Sequence, residues 1–188
     1  LTKQKEVFVP LEPATVKLYT CGPTVYDYVH IGNLRSYVAA DTLRRALIAT
    51  GFTVRHVKNI TDVGHLTADD VAQGDSGEDK IAKKAAAEHK TPAEIALFYT
   101  DYYRQVEAAL NILPPDEQPR ATEYVPQMIA FIEGLIAKGH AYAVNGNVFF
   151  DVTSYASYGE LSGNTLENLK VGARLEEHPD KKNPWDFA

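Results

Sequence analysis

Residues 16–60, VKLYTCGPTVYDYVHIGNLRSYVAADTLRRALIATGFTVRHVKNI, decide the fold of this chain. Val16 to Cys21 is rich in β-favouring residues and runs straight into Gly22-Pro23, which predicts a strand followed by a turn. From Asn33 to Thr50 the apolar Leu34, Tyr37, Val38, Leu43, Leu47 and Ile48 recur at largely helical spacing, and Gly51 supplies a C-terminal stop. Phe52 to Ile60 alternates Phe52 and Val54 and, less cleanly, Val57 and Ile60, so it reads as a second strand. Strand, helix and strand in about 45 residues make a βαβ unit with parallel strands.

Beyond that unit the pattern changes. Gly64 to Asp79 is acidic and aperiodic and predicts a long mobile loop. Thr91-Pro92 has the cap and first-turn proline of a helix start, and Ile95, Phe98, Tyr99, Tyr102, Tyr103, Val106, Ala109 and Leu110 carry that helix to about Asn111. LPPDEQP breaks it. A further helix is expected over Val125 to Lys138, stopped by Gly139, and then a hairpin over Ala141 to Asp151 with Asn145-Gly146 at its turn. The tail from Gly159 shows no strong period. The expected fold is α/β: a Rossmann-like parallel sheet with a helical and hairpin insertion. Residues 1–62 would be the first half of the nucleotide-binding core, and 63–188 the insertion and the return toward it.

Composition narrows the function. The 188 residues are 45% hydrophobic and 23% charged, which excludes a disordered or fibrous chain. The net charge of −6 excludes a generally basic, phosphate-seeking surface, so any nucleic-acid contact must be local. One cysteine, Cys21, allows no internal disulfide, and no apolar run approaches the roughly 20 residues of a membrane span. The expected setting is the cytoplasm, without a membrane partner. The first residue is not Met and the last run, NPWDFA, looks unfinished, which suggests a piece of something longer.

The chemistry concentrates between the first strand and its helix, CGPTVYDYVHIGN, residues 21–33. In open α/β sheets ligands bind beyond the carboxyl ends of the strands, and a helix N-terminus offers unpaired N–H groups to a phosphate. His30 and Asn33 add side-chain donors there, and Gly32 lets a ligand approach the backbone. A buried histidine beside a turn glycine accounts for the same letters. Cys21 alone reads most simply as a small core residue, since no CxxC or HxxxH spacing accompanies it. Thr61, in NITD, ends the second strand, where its hydroxyl would meet a substrate ammonium or carboxylate, or simply form a local turn. Lys80, Lys83 and Lys84 could touch RNA, although a charge run is more often a solvated face.

Taken together, CGPTVYD, HIGN, EDKIAKKA, ALNILPPD, PRATEYVPQMIAFIEGLIAKGHAY, NGNVFFDV, YGELSG and KKNPWDFA closely resemble, in order, the amino-terminal catalytic portion of cysteinyl-tRNA synthetases, class I aminoacyl-tRNA synthetases. The resemblance covers essentially the whole chain. It implies a cysteine-tRNA ligase that uses ATP, with Mg2+, to convert L-cysteine to cysteinyl adenylate and then transfers it to tRNA(Cys). His30-Ile31-Gly32-Asn33 corresponds to the ATP-binding HIGH signature, with Asn33 in place of its last His, so a cationic role at that position is lost. His30 and Asn33 are the catalytic expectation, and His30, Gly32 and Asn33 the ATP site. Gly22, Thr24 and Thr61 would bind substrate, and Tyr26 and Asp27 would order the loop.

The resemblance also implies that Cys21 is a Zn2+ ligand. Zinc holds a substrate thiolate far better than a hydroxyl, which would separate cysteine from serine. The other zinc ligands and the KMSKS loop of the family belong to a segment beyond NPWDFA, so this chain by itself is expected to hold half an active site. Two other functions stay open at this point: a truncated, non-catalytic nucleotide- and amino-acid-binding module, and a related ligase joining cysteine to an amino sugar.

Overall fold

A computed structural model describes residues 4–64, 79–163 and 179–187. Of the loop expected over Gly64 to Asp79, residues 65–78 lie outside the described residues, as does part of the tail. The chain divides into two compact units, one drawing on Val7–Thr67 and Glu78–Tyr124 and the other chiefly on Val125–Ala188.

The first unit is built on the expected βαβ. Strand β1 (Thr15–Thr20) pairs in parallel with β2 (Thr53–Lys58), with Thr15 opposite Thr53 and Thr20 opposite Lys58. Helix α1 (Ile31–Ala49) connects them. Residues 117–121 run parallel along the other edge of β2: Lys58 N–H donates to Glu117 O at 3.0 Å, Ile60 N–H to Pro119 O at 2.8 Å, and Ala121 N–H to Ile60 O at 3.0 Å.

Helices α2 (Lys80–Glu88) and α3 (Pro92–Ala109) lie between β2 and that edge segment in the chain and pack on one another. Each start is set by a local cap. Asp79 accepts the N–H groups of Ile81 and Ala82, and Thr91 exchanges hydrogen bonds with Glu94 just ahead of Pro92. Val25, Ile60, Ile81, Ala85, Ile95, Ala96 and Tyr99 form the main core. Tyr37, Tyr103 and Ile112 form a second cluster, with Val29 and Leu34 against it.

Lys58 is 0% exposed in this interior. Its ammonium donates to Glu107 of α3 at 2.5 Å and sits 4.9 Å from the ring centre of Tyr37 and 5.8 Å from that of Tyr103. The LPPD segment is held to α1 in a similarly polar way. Asp41 accepts Leu113 N–H, and Arg44 donates to Pro114 O at 2.6 Å and to Asp116 at 3.3 Å. Asp116 in turn accepts His56 N–H at 2.7 Å. Burial, with Lys58 and Arg44 nearby, lowers the His56 imidazole below its ordinary pKa.

In the second unit, α4 (Val125–Ala137) precedes β3 (Ala141–Val144), which pairs antiparallel with β4 (Asn147–Phe150). Asn145 and Gly146 both have positive φ, 49° and 84°, as the predicted type I′ turn requires. The tail returns to this hairpin. Phe150 N–H donates to Phe187 O at 2.7 Å, and the fully buried Asp186 accepts from Tyr142 Oη at 2.7 Å, Val152 N–H at 3.2 Å and Asn183 N–H at 3.1 Å.

Two measurements test this account. Glu107→Ala, which strands the Lys58 charge, is expected to cost about 3–5 kcal/mol in urea unfolding, whereas Lys58→Met with Glu107→Leu keeps most of the stability. The Tyr37 hydroxyl is pushed up to about 12, first by burial and then by the Glu107 carboxylate and Cys21. An unfolded tyrosine ionises near pH 10. The stability this adds is therefore complete below about pH 10 and is lost as pH rises through about 12, so Tyr37→Phe flattens the alkaline limb of the stability curve.

Candidate functional site

Past Thr20 the two strands come too close for any side chain but glycine. A Cβ at Gly22 would lie 1.7 Å from the carbonyl oxygen of Asn59 and 2.9 Å from its carbon. The close approach lets the strand ends lock together beyond β1 and β2. Gly22 N–H donates to Asn59 Oδ1 at 2.9 Å, Thr61 N–H to Pro23 O at 3.0 Å, and Val25 N–H to Thr61 O at 3.1 Å. Thr24 and Thr61 are thereby paired as a parallel bridge, so Gly22, Thr24 and Thr61 share one ledge at the carboxyl end of the sheet. Nothing in its spacing marks Asn59 in the sequence, yet it also donates from Nδ2 to Thr61 Oγ1 at 3.2 Å.

The chain then crosses to α1 through Tyr26, Asp27 and Tyr28. Asp27 orders this stretch by accepting Tyr28 N–H at 2.8 Å. The Tyr28 ring meets Tyr99 and Tyr102 of α3 edge-on, with centres 5.2 and 4.7 Å apart. Lys84, beside this stretch, has anionic neighbours: it is 3.6 Å from Glu88 and 3.9 Å from Asp27.

His30 caps α1. Its backbone is extended (φ −113°, ψ 172°), and its Nδ1 accepts Gly32 N–H at 3.1 Å while its own N–H donates to Asn33 Oδ1 at 3.2 Å. The donors fix the orientation of both side chains. An Nδ1 that accepts cannot carry the hydrogen of the neutral ring, so Nε2 carries it. An Asn33 whose oxygen is engaged keeps both amide hydrogens for another acceptor. His30 is exposed, and a Cβ on Gly32 would stand 2.8 Å from its Cε1, so the glycine makes room for the ring. The helix N-terminus thus presents an imidazole N–H and an amide beside its own partial positive charge. The buried-histidine reading of His30 does not hold.

Cys21 is exposed, and its thiol lies 3.6 Å from Gly22 O. No group of three or more His, Cys, Asp or Glu residues able to hold a metal comes together among the described residues. A closed zinc site takes four donors. Cys21 offers one, so the described residues do not make a zinc site by themselves. Nor is any described helix long and apolar enough to cross a membrane.

Comparison with known proteins bears on this geometry. A family model described as "tRNA synthetases class I (C) catalytic domain" matches residues 7–188. The chain is 47% identical over 189 residues to a "Cysteine--tRNA ligase" of Chlorobium luteolum, and 46% identical over 188 residues to one of Thermus thermophilus. Each alignment takes in all of this chain and 38% of the relative, so the chain spans well under half the length of the curated relatives it matches. Among solved structures, the fold is similar to Agrobacterium radiobacter K84 agnB2 LeuRS in a ternary complex with tRNA and LeuAMS (TM-score 0.53, 23% identity, 71% of this chain and 16% of that one). It is also similar to a putative arginyl-tRNA synthetase of Campylobacter jejuni (TM-score 0.53, 15% identity, 78% of this chain and 39% of that one).

The contact at Gly22 is open to a direct test. Gly22→Ala is expected to part the strand ends and cost about 3 kcal/mol or more, with faster amide hydrogen exchange at Val25 and Thr61 as the local sign.

Proposed function

The chain belongs to the family of class I (C) tRNA synthetase catalytic domains, and from that premise we propose that it supplies the ATP- and amino-acid-binding half of a cysteine-tRNA ligase. The substrates are L-cysteine, ATP accompanied by Mg2+, and tRNA(Cys), and the place of action is the cytoplasm. The reading of cysteine rather than another amino acid is supported by the ligases the chain aligns with along its full length. Those relatives disfavour the non-catalytic module and the amino-sugar ligase.

The observation that carries the reading is the cap of α1. In the first step a carboxylate oxygen of the amino acid attacks the α-phosphorus of ATP, forming the mixed anhydride as the bond to the bridging oxygen breaks and pyrophosphate leaves with the electron pair. No protein nucleophile is required, so the work is positioning and charge stabilisation. His30 Nε2–H and the Asn33 amide are the donors for the phosphate oxygens, and the α1 terminus adds its field. Gly32 keeps the approach open. The ledge at Gly22, Thr24 and Thr61 lies at the neighbouring strand ends and is the seat for the amino acid.

Cys21 would supply one thiolate to a bound zinc, with the remaining donors coming from outside the described residues. When bound, zinc would hold the substrate sulfur and favour a thiol over a hydroxyl. The steps given to His30, Asn33 and Thr61 do not depend on it.

Amino-acid-dependent ATP–pyrophosphate exchange in the full natural polypeptide tests the reading. Exchange is expected with cysteine and not with serine, and His30→Ala is expected to lower the rate about 100- to 1,000-fold. Asn33→Ala costs about tenfold, as the loss of one neutral donor to a charged oxygen. Exchange that is absent, or equal with serine, overturns the proposal.

A further inference from the structure

The Asn59 amide has only one way to face. Gly22 N–H is a donor, so Asn59 must present Oδ1 to it, which leaves Nδ2 facing Thr61 Oγ1. The backbone of Thr61 is already committed to Pro23 and Val25. Its hydroxyl accepts from Asn59, and the hydroxyl hydrogen meets no acceptor among the described residues. An oxygen that accepts one hydrogen bond is polarised into a better donor of its own hydrogen. The free end of this short relay is therefore a donor, anchored through Asn59 to the backbone of the Gly22 turn.

We propose that Asn59 is a positioning residue that sets the Thr61 hydroxyl to donate a hydrogen bond to a carboxylate oxygen of the amino-acid substrate, rather than to receive its ammonium. The proposal rests on the reading above, in which Thr61 meets the substrate. One carboxylate oxygen is then held by Thr61 while the other is free to attack phosphorus, so the relay orients the nucleophile and Asn59 itself touches no substrate. Asn59 thereby has two tasks in one side chain: Oδ1 fastens the turn, and Nδ2 fixes which way the hydroxyl works.

Asn59→Asp separates these tasks. It keeps an acceptor for Gly22 N–H but replaces the Nδ2 donor by a second acceptor, so the Thr61 hydroxyl turns to donate to the carboxylate of its neighbour and is lost to the substrate. The readouts, in the full natural polypeptide, are KM for L-cysteine and KM for ATP in pyrophosphate exchange, and inhibition by cysteamine, which keeps the thiol and amine of cysteine and lacks its carboxylate. Asn59→Asp and Thr61→Val are each expected to raise KM for cysteine about ten- to 100-fold. KM for ATP and the inhibition constant of cysteamine stay near their wild-type values, which also shows that the fold survives. The double variant is no worse than Thr61→Val alone, and Thr61→Ser recovers most of what Thr61→Val loses.

Penalties that add in the double variant would mean that the aspartate acts on the substrate directly, and would overturn the proposal. Cysteamine weakened in parallel with cysteine would do the same, by pointing to the ammonium or to general distortion. So would Asn59→Asp with wild-type KM beside an impaired Thr61→Val. If Thr61→Val itself behaves as wild type, or the wild-type polypeptide shows no exchange, the underlying reading fails and the proposal falls with it.

Discussion

A lysine on the buried face of a half-exposed strand is the constraint around which the first unit is arranged. Lys58 closes β2, its backbone pairs with the edge segment at Glu117, and its side chain runs into the interior. An unpaired ammonium there would be untenable, so a carboxylate from α3 and two aromatic faces from α1 and α3 must surround it. That requirement fixes how three separate elements meet. Tyr37 and Tyr103, kept neutral by the same burial and by the Glu107 carboxylate, complete an enclosure in which one charge pair is shielded by rings. The strand that carries Lys58 continues into Asn59 and Thr61, so the framework and the site are parts of one stretch of backbone.

The start of α1 also shows how much two side chains can do at a helix end. His30 and Asn33 perform two services with the same atoms. One face of each side chain satisfies the orphan amide groups of the helix start, and the hydrogens that remain are pinned in direction. Preorganised donors of this kind do not have to reorient as charge develops on a phosphate. An asparagine suits this position, because the oxygen it spends on the cap is one a histidine side chain lacks.

Much of this was legible in the sequence, and what was not has a physical reason. The βαβ unit, α3, α4 and the hairpin follow from periodicity, caps and the Asn145-Gly146 pair, because those signals are local. That Gly22-Pro23 and Thr61 fall at strand ends could be read because strand and turn signals are local, whereas Thr24 came in only through the family resemblance. Lys58 and Asn59 could not be read this way. Within FTVRHVKNI a lysine reads as a residue for the solvent side, and only Glu107, 49 residues away, makes its burial tolerable. The worth of Asn59 depends on Gly22, 37 residues earlier. Periodicity announces α4 but not what it packs on: Met128, Ile129 and Phe131 are all exposed on it. A histidine deep in β2 was equally invisible, since it depends on Arg44 and Asp116 lying around it.

The clasp at Asp186 sets an order of events during synthesis. The carboxylate that secures Tyr142 and Val152 lies some 34–44 residues downstream of the groups it receives. At ribosomal rates of about 5–20 residues per second, the hairpin leaves the exit tunnel some seconds before its fastening does. During that interval Phe150 has no Phe187 to pair and stack with, Tyr142 and Val152 have no Asp186 carboxylate, and an isolated two-stranded hairpin is marginal in water. A nascent chain that stalls in this window would present a bare aromatic edge to chaperones, and quality control would meet it there.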